Sequence, residues 1–274
     1  MRHAEFILTG LSRLLEEAAL AVRNLGAGID SWPLRDYFLR SLFLKMTGAQ
    51  EQKCKCICWD LATFDYDFRY QTFSKWSLGE CSSLKDKTTV FSGLVLMLEK
   101  MGVKNISVNE ELVRKGVLCD VKGKVQCFYD ECRGLGWPQH EFEEFREVFS
   151  KIKATCLVLP TNKEDKSWRI FSMRCDKCER RKTSNYPTGC DKVSDFLPFD
   201  LQELYEQSVY RHRNECAHNT LSYQMNKPSF DEMCAEGYEF RNYYLRFAIL
   251  ILIDELFMRT YKEWADVIKA RGEV

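Results

Sequence analysis

The chain has 274 residues, 45% of them hydrophobic and 29% charged, which excludes a disordered polymer and leaves core enough for one large or two modest domains. Forty basic residues balance forty acidic ones, and a net charge of zero excludes bulk, sequence-blind coating of nucleic acid but not a local site for a chosen RNA. Thirteen cysteines, behind an N-terminal run that carries Glu16 and Glu17 and no small-residue cleavage site, point to a reducing, cytoplasmic setting with most thiols free or buried. The strongest apolar run, Phe247 to Ile253, is far short of the ~20 residues a span requires, so no membrane association is expected.

Residues 5–25 are predicted as an amphipathic helix with Ile7, Leu8, Leu11, Leu14, Leu15 and Ala18 on one face, ended by Gly26 and Gly28. A second helix starts near Ser31 and Pro33, carries Leu34, Tyr37, Phe38, Ser41 and Leu42 at helical spacing, and runs past Gly48 to Trp59 or beyond. Within it lies Lys53-Cys-Lys-Cys-Ile-Cys58. Alternating thiols suit a metal, but a helix puts Cys54 and Cys58 on one face and Cys56 on another, so buried thiols are expected.

In Phe64-Asp-Tyr-Asp-Phe-Arg-Tyr70, aromatics interleaved with a base could stack on RNA; Asp65 and Asp67 favour core or interface packing instead. Residues 82–101 read as a helix with Val90, Phe91, Leu94, Val95, Leu98 and Met101 apolar and Gly102 as its stop. From residue 104 to 192 the texture changes. Val117 to Val121 and Lys124 to Phe128, split by Lys122-Gly123, suggest a small hairpin. A proline-started helix follows, Pro138 to Lys153, with Phe142, Phe145, Phe149 and Ile152 inward. Thr155 to Leu159 and Ser167 to Met173 suggest a second hairpin.

Cys175-Asp-Lys-Cys178, with Cys190 beyond it, has half of a zinc grip; Cys156, Cys119, Cys127 or Cys132 would have to supply the fourth thiolate, so zinc is a weak candidate. Arg180, Arg181 and Lys182 form a basic loop that could meet an RNA backbone, although a solvated charge run is the commoner meaning.

A helix is predicted from Asp200 to Asn219, with Asp200 and Glu203 as its start signal and Leu201, Leu204, Tyr205, Ser208 and Val209 on one face. Its last turns read Tyr210-Arg-His-Arg-Asn-Glu-Cys-Ala-His218-Asn219. An arginine fork suits a phosphate, and an imidazole can move a proton on a ribose hydroxyl. On an ideal helix Arg213 and His218 lie about 140° apart, so one helix does not aim both at one phosphate. Either the helix distorts near His218 or a second copy completes the site. The plain alternative is a solvated helix end: Arg241-Asn242 repeats the pair with no histidine after it. The final helix, Asp231 to Lys269, is apolar nearly all round at its middle and must be central or shared with a partner.

At Arg213-Asn214-Glu215-Cys216-Ala217-His218 the sequence resembles the HEPN family of small helical proteins, many of them ribonucleases, whose signature is an arginine, usually Asn, Asp or His next, and then a histidine, with four to six residues between the arginine and that histidine. The resemblance covers residues 201–223. It implies a metal-independent endoribonuclease without cofactor, acting as a homodimer with a composite site and leaving 2′,3′-cyclic phosphate ends. Arg213, Asn214 and His218 would be catalytic and Arg211 and His212 would contact RNA. In bacteria it implies a toxin or anti-phage effector cutting RNA such as tRNA, with an inhibitory or sensor partner. Relatives modified by a nucleotidyltransferase carry a tyrosine two residues past the histidine; this chain has Thr220 there. The alternative is an inactive helical module that binds RNA or protein. The expected fold is mainly α, a HEPN-like bundle from residues 1–103 and 196–274 with residues 104–195 as a small mixed α/β insert.

Overall fold

The computed structural model describes residues 3–23, 32–71, 81–132, 139–150, 152, 205–218 and 242–272. Among them every regular element is helical, and no helix is long and apolar enough to cross a membrane. The helices in chain order are α1 (His3–Ile7), α2 (Ser12–Val22), α3 (Trp32–Phe64), α4 (Tyr66–Gln71), α5 (Leu84–Lys100), α6 (Glu111–Cys132), α7 (Gln139–Ser150), a π-helical segment (Tyr205–Tyr210), α8 (Arg211–His218) and α9 (Tyr243–Ala270). A 3₁₀ turn, Ser107–Asn109, precedes α6.

The fold is built around α9. Asn242 caps it, its Oδ1 accepting from Leu245 N at 2.8 Å, and every side chain from Tyr244 to Phe257 is buried. A helix apolar on all sides finds its lowest energy only when surrounded. Accordingly α3, α5, α6 and α7 all pack on it. Phe91 meets Phe257, and Phe128 meets Phe247, in edge-to-face pairs with ring centroids 5.3 and 5.8 Å apart.

Helix α3 runs about 50 Å without a break, straight through Gly48. Its inner face, Phe43, Met46, Gln50, Ile57 and Leu61, meets α9, and the Gln50 amide donates to the Leu250 carbonyl at 2.9 Å. Cys54 and Cys58 are buried and Cys56 is half-buried, as the helical phase requires. Burial pushes the Cys54 thiol up to about 12, so it is an inert apolar group. Among the described residues no three His, Cys, Asp or Glu side chains are grouped to hold a metal ion.

The single N-terminal helix expected over residues 5–25 is two helices. Buried charges take the backbone between them: Leu11 N donates to Asp254 Oδ2 at 2.8 Å, and Lys53 Nζ donates to the Thr9 carbonyl. Ile7, Leu11, Leu15 and Ala18 still face the core, while Leu8 is 41% exposed. Helix α5 starts and stops as its sequence signals: Ser83 Oγ accepts from Asp86 N, and Gly102 at φ +82° lets its own amide and that of Val103 bond back to Glu99 and Leu98.

The hairpin expected at residues 117–128 is a correction. These residues lie inside α6, and Val117, Val121, Val125, Phe128 and Cys132 are buried at helical spacing. Valines and a Lys-Gly pair mimic two strands and a turn, but burial against α9 decides the outcome over local propensity. Gly123 is therefore an exposed mid-helix residue, and a Cβ added there would meet nothing within 4 Å. Gly123→Ala should raise stability by about 0.5–1 kcal/mol in a urea titration, whereas a turn glycine would lose stability. Helix α7 buries Phe142, Phe145 and Phe149 as expected, with Ile152 beyond its end. The second expected hairpin lies outside the described residues.

Candidate functional site

The expected motif helix begins, among the described residues, as a π-helix. Tyr205, Ser208 and Val209 are buried as its amphipathic pattern requires. Tyr205 donates its hydroxyl to the Ser82 carbonyl at 2.9 Å, over a buried Lys87 that also caps the Cys81 and Ser82 carbonyls. The wider π turn leaves carbonyls outside the i→i−4 ladder, and Arg246 Nε donates to that of Ser208 at 2.9 Å. Arg246 also lies over the Tyr243 ring, 5.0 Å from its centroid. Through these contacts α9 sets the rotation of the turn that feeds α8.

Helix α8 then runs as regular α-helix from Arg211 to His218. On its inward side, His212 Nε2 is 3.0 Å from the Tyr243 hydroxyl, with the Phe43 ring 5.1 Å away and Glu215 Oε2 3.7 Å from Nδ1. Burial pushes the His212 imidazole down to about 4, against the opposing pull of Glu215. Burial also pushes the Tyr243 hydroxyl up to about 12. Both groups are thus neutral at pH 7 and share one hydrogen bond. His212, expected at an RNA surface, anchors α8 to α9.

This arrangement fixes a pH dependence. The folded state refuses a proton on His212 that the unfolded chain takes near pH 6.5, so stability is held above that value and lost as pH falls toward 4. Between pH 7 and 5 the loss is about 2 kcal/mol from this residue. His212→Gln, which keeps a partner for Tyr243, should flatten the slope by that amount in urea titrations at the two pH values.

Arg213 leaves α8 on another side and meets α3. Its Nε is 3.3 Å from Glu51 Oε1, its Nη2 donates to Glu51 Oε2 at 3.4 Å, and its Nη1 donates to Asn214 Oδ1 at 3.1 Å. The Arg213 and Glu51 side chains are 18% and 12% exposed, a place where an ion pair is only weakly screened. Glu51 and Asn214 together fix the plane of the guanidinium. Asn214 thus positions Arg213 through its Oδ1. Arg211 is exposed and pairs with Glu215, Nε to Oε1 at 3.0 Å.

The α8 backbone carries His218 without distortion, so the two motif positions are about 140° apart around the axis. The His218 side chain lies outside the described residues, as do Arg180, Arg181 and Lys182 and the thiols Cys175, Cys178 and Cys190. Sequence reading missed Glu51, which lies 162 positions before Arg213. It also missed Tyr243 and Arg246, which only their helical phase on the last helix could have flagged. No family model, curated protein or solved structure matches this chain, and the chemistry of the site rests on its own residues.

Proposed function

We propose that the chain is a HEPN-like, metal-independent endoribonuclease, acting as a toxin or anti-phage effector on RNA such as tRNA. The observation that carries this reading is the Arg213 guanidinium, held in a fixed plane by Glu51 and Asn214 five residues before His218 on one helix. A preset fork costs little reorganisation when it meets the extra negative charge on a phosphate in the transition state. His218 takes the proton from the ribose 2′-hydroxyl or gives one to the leaving oxygen. The 2′-oxygen then bonds to phosphorus as the P–O5′ bond breaks, leaving a 2′,3′-cyclic phosphate and a free 5′-hydroxyl. With the two groups on different sides of α8, a twin subunit supplies one of them.

The same Arg213–Glu51 pair favours a second reading, an inactive module in which the motif is a structural hydrogen-bond network. Incubating the purified protein with total RNA and a chelator separates the two. Cleavage by the wild type, with cyclic ends and none from His218→Ala, supports the enzyme. An equally inactive wild type leaves the binding module standing.

A further inference from the structure

Beside Arg213, one face of α3 carries large side chains that the core does not take. Past Glu51, the residues Lys55, Trp59 and Thr63 recur every fourth position, each about 6 Å farther along one stripe. Lys55 is half-buried, and Trp59 is 52% exposed. Asp65 then caps α4, its Oδ1 accepting from Phe68 N at 2.6 Å. In α4, Phe68 is buried, but Tyr66 and Tyr70 on either side of it are 75% and 68% exposed. Their rings lie within 11° of parallel with centroids 6.3 Å apart.

The sequence leads one to expect core or interface packing of this aromatic passage, and only Phe68 meets that fully. Two large exposed rings on successive turns of α4, with Trp59 about two turns back on α3, are a surface that water hydrates poorly. The tyrosine rings stand one above the other at a separation near twice the ~3.4 Å stacking repeat of bases. Every base has a π-face, so such rings take successive bases without reading sequence. A duplex hides those faces, and only an unpaired strand offers them. The stripe also begins at the residue that orients Arg213.

We propose that Trp59, Tyr66 and Tyr70 form a stacking track for unpaired RNA bases, with Lys55 on the backbone, leading a single strand toward Arg213. The track rests on the reading of RNA as substrate and narrows it to single-stranded regions such as loops and ends. It also reconciles RNA binding with a net charge of zero, because stacking supplies affinity that cations do not. The salt dependence should accordingly be shallow, with only a few phosphate contacts in its slope.

The test uses the full chain and a fluorescein-labelled, 2′-O-methylated single-stranded oligoribonucleotide, which cannot undergo attack by its own 2′-oxygen. Anisotropy titration should give binding that Trp59→Ala, Tyr66→Ala and Tyr70→Ala each weaken about five- to a hundred-fold. Tyr66→Phe and Tyr70→Phe, which keep the rings, should bind as the wild type does. The same oligonucleotide paired into a duplex should bind weakly and indifferently to these changes. No binding by the wild type, or unchanged affinity in the triple alanine variant, overturns the track. A triple variant that loses self-association while keeping its RNA affinity also overturns it, and makes the face a contact between copies of the chain. Because the probe is uncleavable, these outcomes are independent of nuclease activity: cleavage of ordinary RNA without ring dependence sinks the track alone, and ring-dependent binding without cleavage sinks the nuclease alone.

Discussion

Replacing Lys53 by Met should lower the stability of the protein by about 3–5 kcal/mol, read from urea unfolding at pH 7. Lys53 Nζ is 2.7 Å from Asp254 Oδ1, with the two side chains only 5% and 2% exposed. The pair joins α3 to α9 and also holds the turn between α1 and α2, through the Thr9 carbonyl and the Leu11 amide. Without the cation, the Asp254 carboxylate keeps a single amide donor in a site closed to water. Stranding a buried charge costs far more than the net worth of the pair. Removing both charges, with Lys53→Met and Asp254→Leu together, should therefore recover part of the loss. Recovery stays incomplete because the Thr9 carbonyl and Leu11 amide then lack these partners, at about 1–3 kcal/mol for each group left unsatisfied. A single variant that loses less than about 1 kcal/mol would mean that water reaches the pair or that the turn moves away.

That network also marks where sequence reasoning stops. The all-round apolar middle of the last helix announces a central element, because burial on every side leaves no polar face to write. The cysteine phase and the aromatic face of α7 are legible for the same reason: periodicity records which side is buried. What periodicity does not record is the partner. Lys53 reads as a charge within a cysteine-rich run, yet it is buried by virtue of Asp254, 201 positions away. The break after Ile7 follows from the same pairing and has no local signal stronger than Gly10. In α6 the local signal misleads, since β-branched residues around a Lys-Gly pair fit a hairpin until Phe128 is seen against Phe247.

The candidate site divides along the same line. The motif names Arg213, Asn214 and His218 because their chemistry and spacing are contained in one stretch. Glu51, which holds the arginine, comes from another helix. His212 carries the same apparent promise as His218, but burial against Phe43 and Tyr243 gives it an anchoring role. Type and spacing therefore nominate residues, and packing assigns them their work.

Under the ribonuclease proposal, Arg213→Ala and His218→Ala should each lower cleavage by about 10²–10⁴-fold, as expected for loss of a charge-stabilising donor or of a general acid–base. Glu51→Gln should fall between these and the wild type, since it keeps a hydrogen-bonding partner for the guanidinium but loses the charge that fixes it. The sharper measurement mixes the two inactive variants after co-refolding. Helix α8 is regular through residue 218, so the arginine of one chain and the histidine of another must meet if they act on one phosphate. In a heterodimer of Arg213→Ala with His218→Ala, one of the two composite sites receives both intact groups. Random assortment then makes half the dimers heterodimers, and activity should return to about a quarter of the wild-type level. Chains carrying both substitutions, mixed equally with wild type, have no intact cross-pair in the heterodimer, so activity should fall to about a quarter rather than to the half that dilution alone would leave. If the wild type cleaves but the mixed variants recover nothing, the two groups act within a single chain and α8 must unwind beyond Ala217 when RNA binds.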